Sequence, residues 1–274
     1  MALGINTNVA SLSAQNQLNR SQGISDQALQ RLSSGLRINS AKDDAAGLAI
    51  STRFDTQIRG LNVAQRNAND GISMVQTAEG GLNETVGNLQ RIRELAVQAA
   101  NGSNTDEDRA LLQSEVSQRL DEITRISSDT QFNGQNVLDG TLGSGVSFQV
   151  GANAGQTIDI AFDQDMSASG LAVNAIDIST ASGASAALTT LDTALDTVNS
   201  FRSDLGAVQN RFESTINNLA TNIENLSASN SRIVDADFAA ETAKLSKANV
   251  LQQAGISVLA QANARPNQVL SLLQ

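Results

Sequence analysis

The stretch Phe54–Leu89, FDTQIRGLNVAQRNANDGISMVQTAEGGLNETVGNL, decides how this chain folds. Its apolar residues Phe54, Ile58, Leu61, Ala68, Ile72, Val75, Leu82, Val86 and Leu89 fall on alternating steps of three and four, with Gln65 and Glu79 in the two intervening slots. A repeat of about 3.5 residues keeps one stripe of a helix turned toward a partner. The spacing therefore predicts a coiled-coil-like helix reaching about Ala100. A second seam runs Leu188, Leu191, Leu195, Val198, Leu205, Phe212, Ile216, Leu219, Ile223, Leu226 and Ile233, long enough to lie beside the first. The fold class that follows is mostly α, a long antiparallel coiled-coil-like bundle built from the N- and C-terminal halves. Gln65, Glu79 and Asn230 either fix register, as buried polar residues do in coiled coils, or face a gap or solvent.

Outward from these seams the signals loosen. Residues Asn8 to Ser34 carry Leu12, Leu18, Leu29 and Leu32 among Ser, Asn and Gln, a helix pattern with little to stabilise it alone. Ser33-Ser34-Gly35 is a break, and Ser40-Ala41-Lys42-Asp43 has the spacing of a capping box before the first seam. Gly102 supplies a stop, Thr105-Asp106-Glu107-Asp108 a second capping box, and Leu112, Val116, Leu120 and Ile123 a further helix to about Ser128. The last amphipathic segment runs from about Phe238 to Ala262 with Leu245, Leu251, Ile256, Val258 and Leu259. The single proline, Pro266, lies beyond it, so nothing earlier must kink a helix.

Between the helical halves the pattern changes. Phe132-Asn133-Gly134 and Leu138-Asp139-Gly140 are turn signals. Ser147–Val150 and Thr157–Phe162 alternate as strands around Gly151-Ala152-Asn153-Ala154-Gly155, which predicts a hairpin with a longer loop. The strand-like middle is placed at about 140–180, and residues 163–187, rich in Ser, Ala, Gly and Asp, show no clear periodicity.

Composition narrows the function. The chain has 274 residues with 40% hydrophobic content but only 3% aromatic, and no Trp, Tyr, Cys or His. Aromatic anchors usually dominate ligand pockets, so their scarcity favours helix-on-helix packing. Zero cysteines excludes disulfides, thiol catalysis and iron–sulfur clusters. The net charge is −10, with acids concentrated in the middle and near-neutral ends, which argues against nucleic acid as a partner. A continuous apolar run of membrane-spanning length is missing, as is a cleavable secretory signal at MALGINTNVASLSAQNQ, so no membrane span is expected.

Nor do the motifs assemble a catalyst. Without His, metal and acid–base chemistry lose their usual residue. Asp163-Gln164-Asp165-Met166-Ser167 opens like a calcium loop, but Ala168 and Asn174 stand where that loop needs Gly and Glu. Gly143-Ser144-Gly145 opens like a dinucleotide fingerprint, yet Phe148 occupies the third glycine's place. Acid pairs such as Asp43-Asp44 and Asp121-Glu122 fit solvated helix surfaces or helix starts. The expectation is no catalytic residue, no metal and no cofactor.

Longer motifs then carry a resemblance. Leu3-Gly4-Ile5-Asn6-Thr7-Asn8, Arg31 through Leu48 (RLSSGLRINSAKDDAAGL), Gln90 through Gln98 (QRIRELAVQ), Phe132-Asn133-Gly134 through Asp139-Gly140, Phe148-Gln149-Val150-Gly151 and Leu251 through Asn263 (LQQAGISVLAQAN) are similar to bacterial flagellin. The match spans essentially the whole chain in order.

The resemblance implies a structural subunit that self-assembles into a hollow helical filament serving motility. Residues 1–42 and 238–274 would pair as its innermost coiled coil, with Leu251, Val258, Leu259, Leu270 and Leu273 packing the tube. Residues 43–237 would form the surrounding helical bundle, its seams packed through Phe54, Ile58, Leu61, Ile72, Val75, Leu82, Leu89, Leu195, Leu205, Phe212, Ile216, Leu219, Ile223 and Leu226, with no separate outer domain. The family's ends are disordered in the monomer and fold on polymerisation. Small-residue helices bury too little alone to offset roughly 1–2 kcal/mol of backbone entropy per residue. Export through the flagellar secretion channel would place the protein outside the cell without a cleaved signal. The resemblance also implies an export chaperone, cap and hook-junction proteins as partners. A host innate receptor would touch Arg91, Leu95 and Glu115, and Leu270, Leu272 and Leu273 would serve tube packing, a chaperone or a cytosolic sensor. Competing readings are a hook–filament junction protein of the same family, a secreted coiled-coil adhesin, and a flagellin bearing a zinc protease, the last opposed by the absence of His.

Overall fold

The computed structural model describes residues 7–271. Among them, in chain order, are helices α1 (Val9–Ser34), α2 (Ala45–Ala99) and α3 (Asp106–Asp129), the hairpin strands β1 (Gln131–Phe132) and β2 (Gln135–Asn136), strands β3 (Gly143–Gln149) and β4 (Thr157–Phe162), and helices α4 (Ala181–Val234) and α5 (Phe238–Ser271). Two compact units share them. One takes the residues up to Thr56 together with those from Asn225 on, and the other takes Gln57–Glu224.

In the first unit α1 and α5 lie antiparallel. The Asn8 side-chain amide donates to the Ala262 carbonyl at 2.8 Å, and at the other end Arg31 Nη1 donates to Glu241 Oε1 at 3.0 Å. Between these points the contact surface is small: Ser21, Ser25, Ala28, Ala248 and Ala262 are buried, and Leu18 rests on Gly255. Asn8 caps α1 by accepting from the Ser11 amide, and Gly35, at φ +73°, ends it with its own N–H returned to the Arg31 carbonyl. That left-handed turn suits glycine, which lacks a Cβ to clash there. The next residues run against the end of α4: Arg37 N–H donates to Val234 O at 2.6 Å, and Ala236 N–H donates to Gly35 O at 2.9 Å. The Arg37 guanidinium covers the carbonyls of Arg232 and Ile233, which a helix end would otherwise leave unpaired.

The predicted capping box at Ser40–Asp43 forms only by half and ahead of the helix: the Asp43 carboxylate accepts from the Asn39 and Ser40 amides, but the Asp43 amide donates to the Ser40 backbone carbonyl instead of its hydroxyl. Just before α2 it is the Asp44 carboxylate that accepts from the Gly47 amide, at 2.8 Å. The second box is realised as predicted: Thr105 caps α3 reciprocally with Asp108.

In the second unit the two seams meet each other. Arg93 pairs with Asp192 at 2.8 Å, Glu79 approaches Arg202 at 3.7 Å, and the Phe212 ring lies over Gly71. As the α2 numbers fall the α4 numbers rise, so the helices run antiparallel. A Cβ at residue 71 would come within 2.7 Å of the ring, which only glycine avoids. Helix α3 runs antiparallel to α2 on another side, through Arg91–Glu115 and Asn88–Arg119. The core joins Met74, Leu82, Leu89, Ile92 and Leu95 of α2 with Val116 and Ile123 of α3 and with Leu191, Val198 and Phe201 of α4.

The hairpin covers this bundle. β3 and β4 pair antiparallel through Val146↔Ile160 and Phe148↔Ile158, with an irregularity between Gly143 and Val146. β4 alternates as expected, burying Ile158, Ile160 and Phe162. Phe162 meets Phe201 edge-on at 6.4 Å and Phe148 meets Phe212 at 5.8 Å, so four of the seven Phe are spent at this contact.

Two expectations about the middle need correction. Strand structure ends at Phe162 and does not extend toward 180, and α4 starts at Ala181, inside the stretch that showed no periodicity. Residues 163–180 are irregular yet bury Met166, Leu171, Val173, Ile176 and Ile178. Their backbone is satisfied by local turns, such as Leu171 N–H on Ser167 O and Val173 N–H on Ala168 O, and by Gln113, which donates to Ile176 O and accepts from Ile178 N–H. Phe132-Asn133-Gly134 does more than turn: Asn133 and Gly134, both at positive φ, link the two-residue strands β1 and β2. Helix α5, expected to close near Ala262, continues to Ser271.

Candidate assembly surfaces

The two units treat their large apolar side chains differently. In the second unit the seams close within the one chain. Val75, Leu82, Leu89, Leu205, Phe212 and Leu219 are buried, while Ile58, Leu61, Ile72, Leu195, Ile216 and Ile223 are half-buried, as are Phe54 and Leu226 of the first unit. The buried six pack the bundle itself, because a side chain already enclosed by its own chain offers no surface to another. Glu79 explains one polar slot through its ion pair with Arg202, and Gln65 is half-buried. Asn230 Oδ1 is buried without a partner.

Helices α1 and α5 do the opposite. Val9, Leu12, Ile24 and Leu29 of α1 are exposed, as are Phe238, Val250, Leu251, Ile256 and Val258 of α5, with Val9 at 70% and Val250 at 65%. Leu259 is half-buried. Small residues occupy the α1–α5 contact, so the larger ones remain outward. Such a concentration of apolar surface marks an interaction face. The sequence singled out Leu251, Ile256, Val258 and Leu259 but passed over Val9 and Ile24. The side chain of Leu270 falls outside the described part of α5, and Leu272 and Leu273 lie outside the described residues.

A charged cluster crosses α2 and α3. Arg91 donates through Nε to Glu115 and through Nη1 to Glu94, both at 3.0 Å, while Arg119 reaches Glu115 at 3.4 Å and Asn88 at 3.0 Å. Hydrogen bonds from Arg91 hold the Glu115 carboxyl below its ordinary pKa, and the same bonds raise that of Arg91. Both groups remain solvent-facing and engage each other inside one chain. Leu95 does not join them: it is 1% exposed and belongs to the core. Of the three residues that the resemblance groups, the structure brings Arg91 and Glu115 together at the surface and places Leu95 in the core beneath them.

Further charged residues went unnoticed in the sequence. Arg109, buried, donates to the carbonyls of Ala99 and Asn101 and so caps α2 from α3. Glu241, also buried, accepts from Arg31 and Lys244. The only advance signal was position: Glu241 stands in the first turn of α5, and Arg31 in the last turn of α1. A groove of about 660 Å³ between β4 and α4 is rimmed by Asp159, Asp163, Asp196 and Asp204. Among the described residues no group of three or more acids is placed to hold a metal ion, and no helix is long and apolar enough to cross a membrane.

Comparison with known proteins bears on what these surfaces serve. A profile of the bacterial flagellin N-terminal helical region matches residues 5–143, and one of the bacterial flagellin C-terminal helical region matches residues 188–273. The chain is 47% identical over 271 residues to a flagellin of Halalkalibacterium halodurans, covering 98% of this chain and 99% of that one. It is 49% identical over 317 residues to a flagellin of Xenorhabdus nematophila, covering 100% of both. Among solved structures it is similar to a crystal structure of Bacillus cereus flagellin, at 32% identity and a TM-score of 0.51 over 56% of this chain and 88% of that one.

Proposed function

We infer that this chain, which belongs to the bacterial flagellin family, acts as a repeating structural subunit and carries out no chemistry of its own. Flagellins self-assemble into the extracellular filament of the flagellum, and that is the function of this one. The observation that carries the reading at the level of residues is the outward apolar face of α1 and α5. The second unit buries most of its large side chains, Val63, Val97 and Leu111 being exposed, while these helices hold most of theirs out, where neighbouring copies would remove them from water at about 25 cal/mol per Å².

On this reading residues 1–42 and 238–274 line the innermost tube, and residues 43–237 form the shell around it, without a separate outer domain. The antiparallel α1–α5 contact supports the inner pairing. Export through the flagellar secretion channel, and contacts with an export chaperone, a cap and hook-junction proteins, accompany it as proposals. A host receptor contact would rest on Arg91 and Glu115, and would compete with their mutual ion pair. The relatives matched over their full length are flagellins, which favours the filament over a junction role.

Seeded growth tests the reading. Purified chain added to short filament fragments should elongate them into tubes visible by electron microscopy. Leu12→Ser combined with Ile256→Ser should slow elongation while leaving the thermal unfolding of the second unit unchanged. Elongation at the unaltered rate would overturn the role assigned to this face.

A further inference from the structure

We propose that the Asn101–Gly102 peptide, in the turn between α2 and α3, is a site of spontaneous covalent modification at which Asn101 loses its side-chain amide and becomes aspartate or isoaspartate. The chain contains two Asn-Gly pairs, Asn101-Gly102 and Asn133-Gly134. Glycine in second place leaves the following backbone nitrogen open to approach, since it carries no Cβ. At Gly102 the opening is complete: an added Cβ would meet no atom within 4 Å, and both residues are exposed to water.

Hydrogen bonds prepare both reacting atoms. The nucleophile is the Gly102 nitrogen, once its N–H proton has passed to water or hydroxide. The anion so formed shares its charge with the Asn101 carbonyl oxygen through peptide resonance. On that oxygen sit Arg109 Nη2 at 3.2 Å and the Asn104 N–H at 3.3 Å. Arg109 is 8% exposed, so its charge acts there with little screening. The electrophile is Cγ of the Asn101 side chain, whose Oδ1 accepts from the Ser103 N–H at 3.3 Å. That bond folds the side chain back along its own backbone, toward the Gly102 nitrogen, and receives the charge that grows on Oδ1 during attack.

Water is the only co-reactant. The Gly102 N–Cγ bond closes a cyclic imide, the Cγ–Nδ2 bond breaks, and the amide leaves as ammonia with its proton supplied by water. A water molecule then opens the ring. Addition at Cγ gives aspartate, and addition at the backbone carbonyl carbon gives isoaspartate, with the chain routed through the side chain. Either product puts a carboxylate on the residue that Arg109 already holds, where its guanidinium caps α2. Asn133-Gly134 is the internal comparison. Both of its residues sit at positive φ between the paired strands β1 and β2, with Phe132 facing Gln135, so closing a ring there must distort a fixed turn.

Peptide mapping by mass spectrometry on the full-length chain, aged at mildly alkaline pH, reads the conversion at each pair. In the folded chain Asn101 should convert roughly tenfold or more faster than Asn133, and the rate should rise with pH because the attacking nitrogen must lose its proton. In urea, where the bonds of both turns are gone, the two rates should converge, and Asn101 should be no faster than it was in the folded chain. Gly102→Ala adds a Cβ into open space, so it should leave the unfolding of the second unit unchanged while slowing conversion at Asn101 by roughly tenfold or more. Equal rates at the two pairs in the folded chain, faster conversion at Asn133, an Asn101 that converts faster in urea, or indifference to Gly102→Ala would each overturn the proposal.

Discussion

Leu95 shows what a single position hides. Its neighbours Arg91 and Glu94 are surface residues joined by an ion pair, and a motif read along the chain groups all three. Helical geometry separates them, since Leu95 continues the row Leu82, Leu89 and Ile92 that faces the core. Leu95→Ala should therefore destabilise the second unit by about 2–5 kcal/mol, the range for opening a cavity in a packed core. Arg91→Ala, at an exposed pair, should leave stability nearly unchanged. Chemical denaturation of both variants checks this, and equal, small effects would mean that Leu95 is not enclosed. The seam residues were legible because period and burial agree. The charged residues Arg109 and Glu241 were not, because a buried charge resembles a solvated one in sequence and only its partners distinguish it.

At the scale of elements, long helices announced themselves and short or irregular pieces did not. The α2 and α4 seams, the Thr105 capping box and the alternation of β4 all follow from local pattern, and the structure repeats them. Residues 163–180 carry buried side chains without any period, because their backbone is held by Gln113 and by the Met166–Leu138 bond instead of a ladder. No spacing rule reports such distant partners. The α1–α5 pair has a pH dependence of defined sign. Bonds from Lys244, and then from Arg31 across on α1, hold the Glu241 carboxyl below its ordinary value of 4.5. A carboxyl that binds its proton less readily when paired contributes stability present above about pH 4.5 and lost as pH falls through the lowered value. Far-UV circular dichroism from neutral to acid pH should show helix loss in that window, and Glu241→Gln should remove the part due to this group. An unchanged acid transition in Glu241→Gln would contradict the assignment.

For the whole molecule, the division of labour is set by residue size. Where the chain places Phe, Leu, Ile and Met inward, as in the Gln57–Glu224 unit, it completes a core by itself. Where it places Ser, Ala and Gly inward, as between α1 and α5, the larger side chains remain outward for copies of the same chain. The sequence revealed the second arrangement only as loose periodicity; the choice of which residues face in, and so the use of the face, became readable with the partner helix in view. The most direct test is seeded elongation followed by electron microscopy, comparing the intact chain with one lacking everything from Glu241 onward. Self-assembly through the paired terminal helices predicts tubes from the intact chain and none from the shortened one. Tubes from both at equal rates would contradict it.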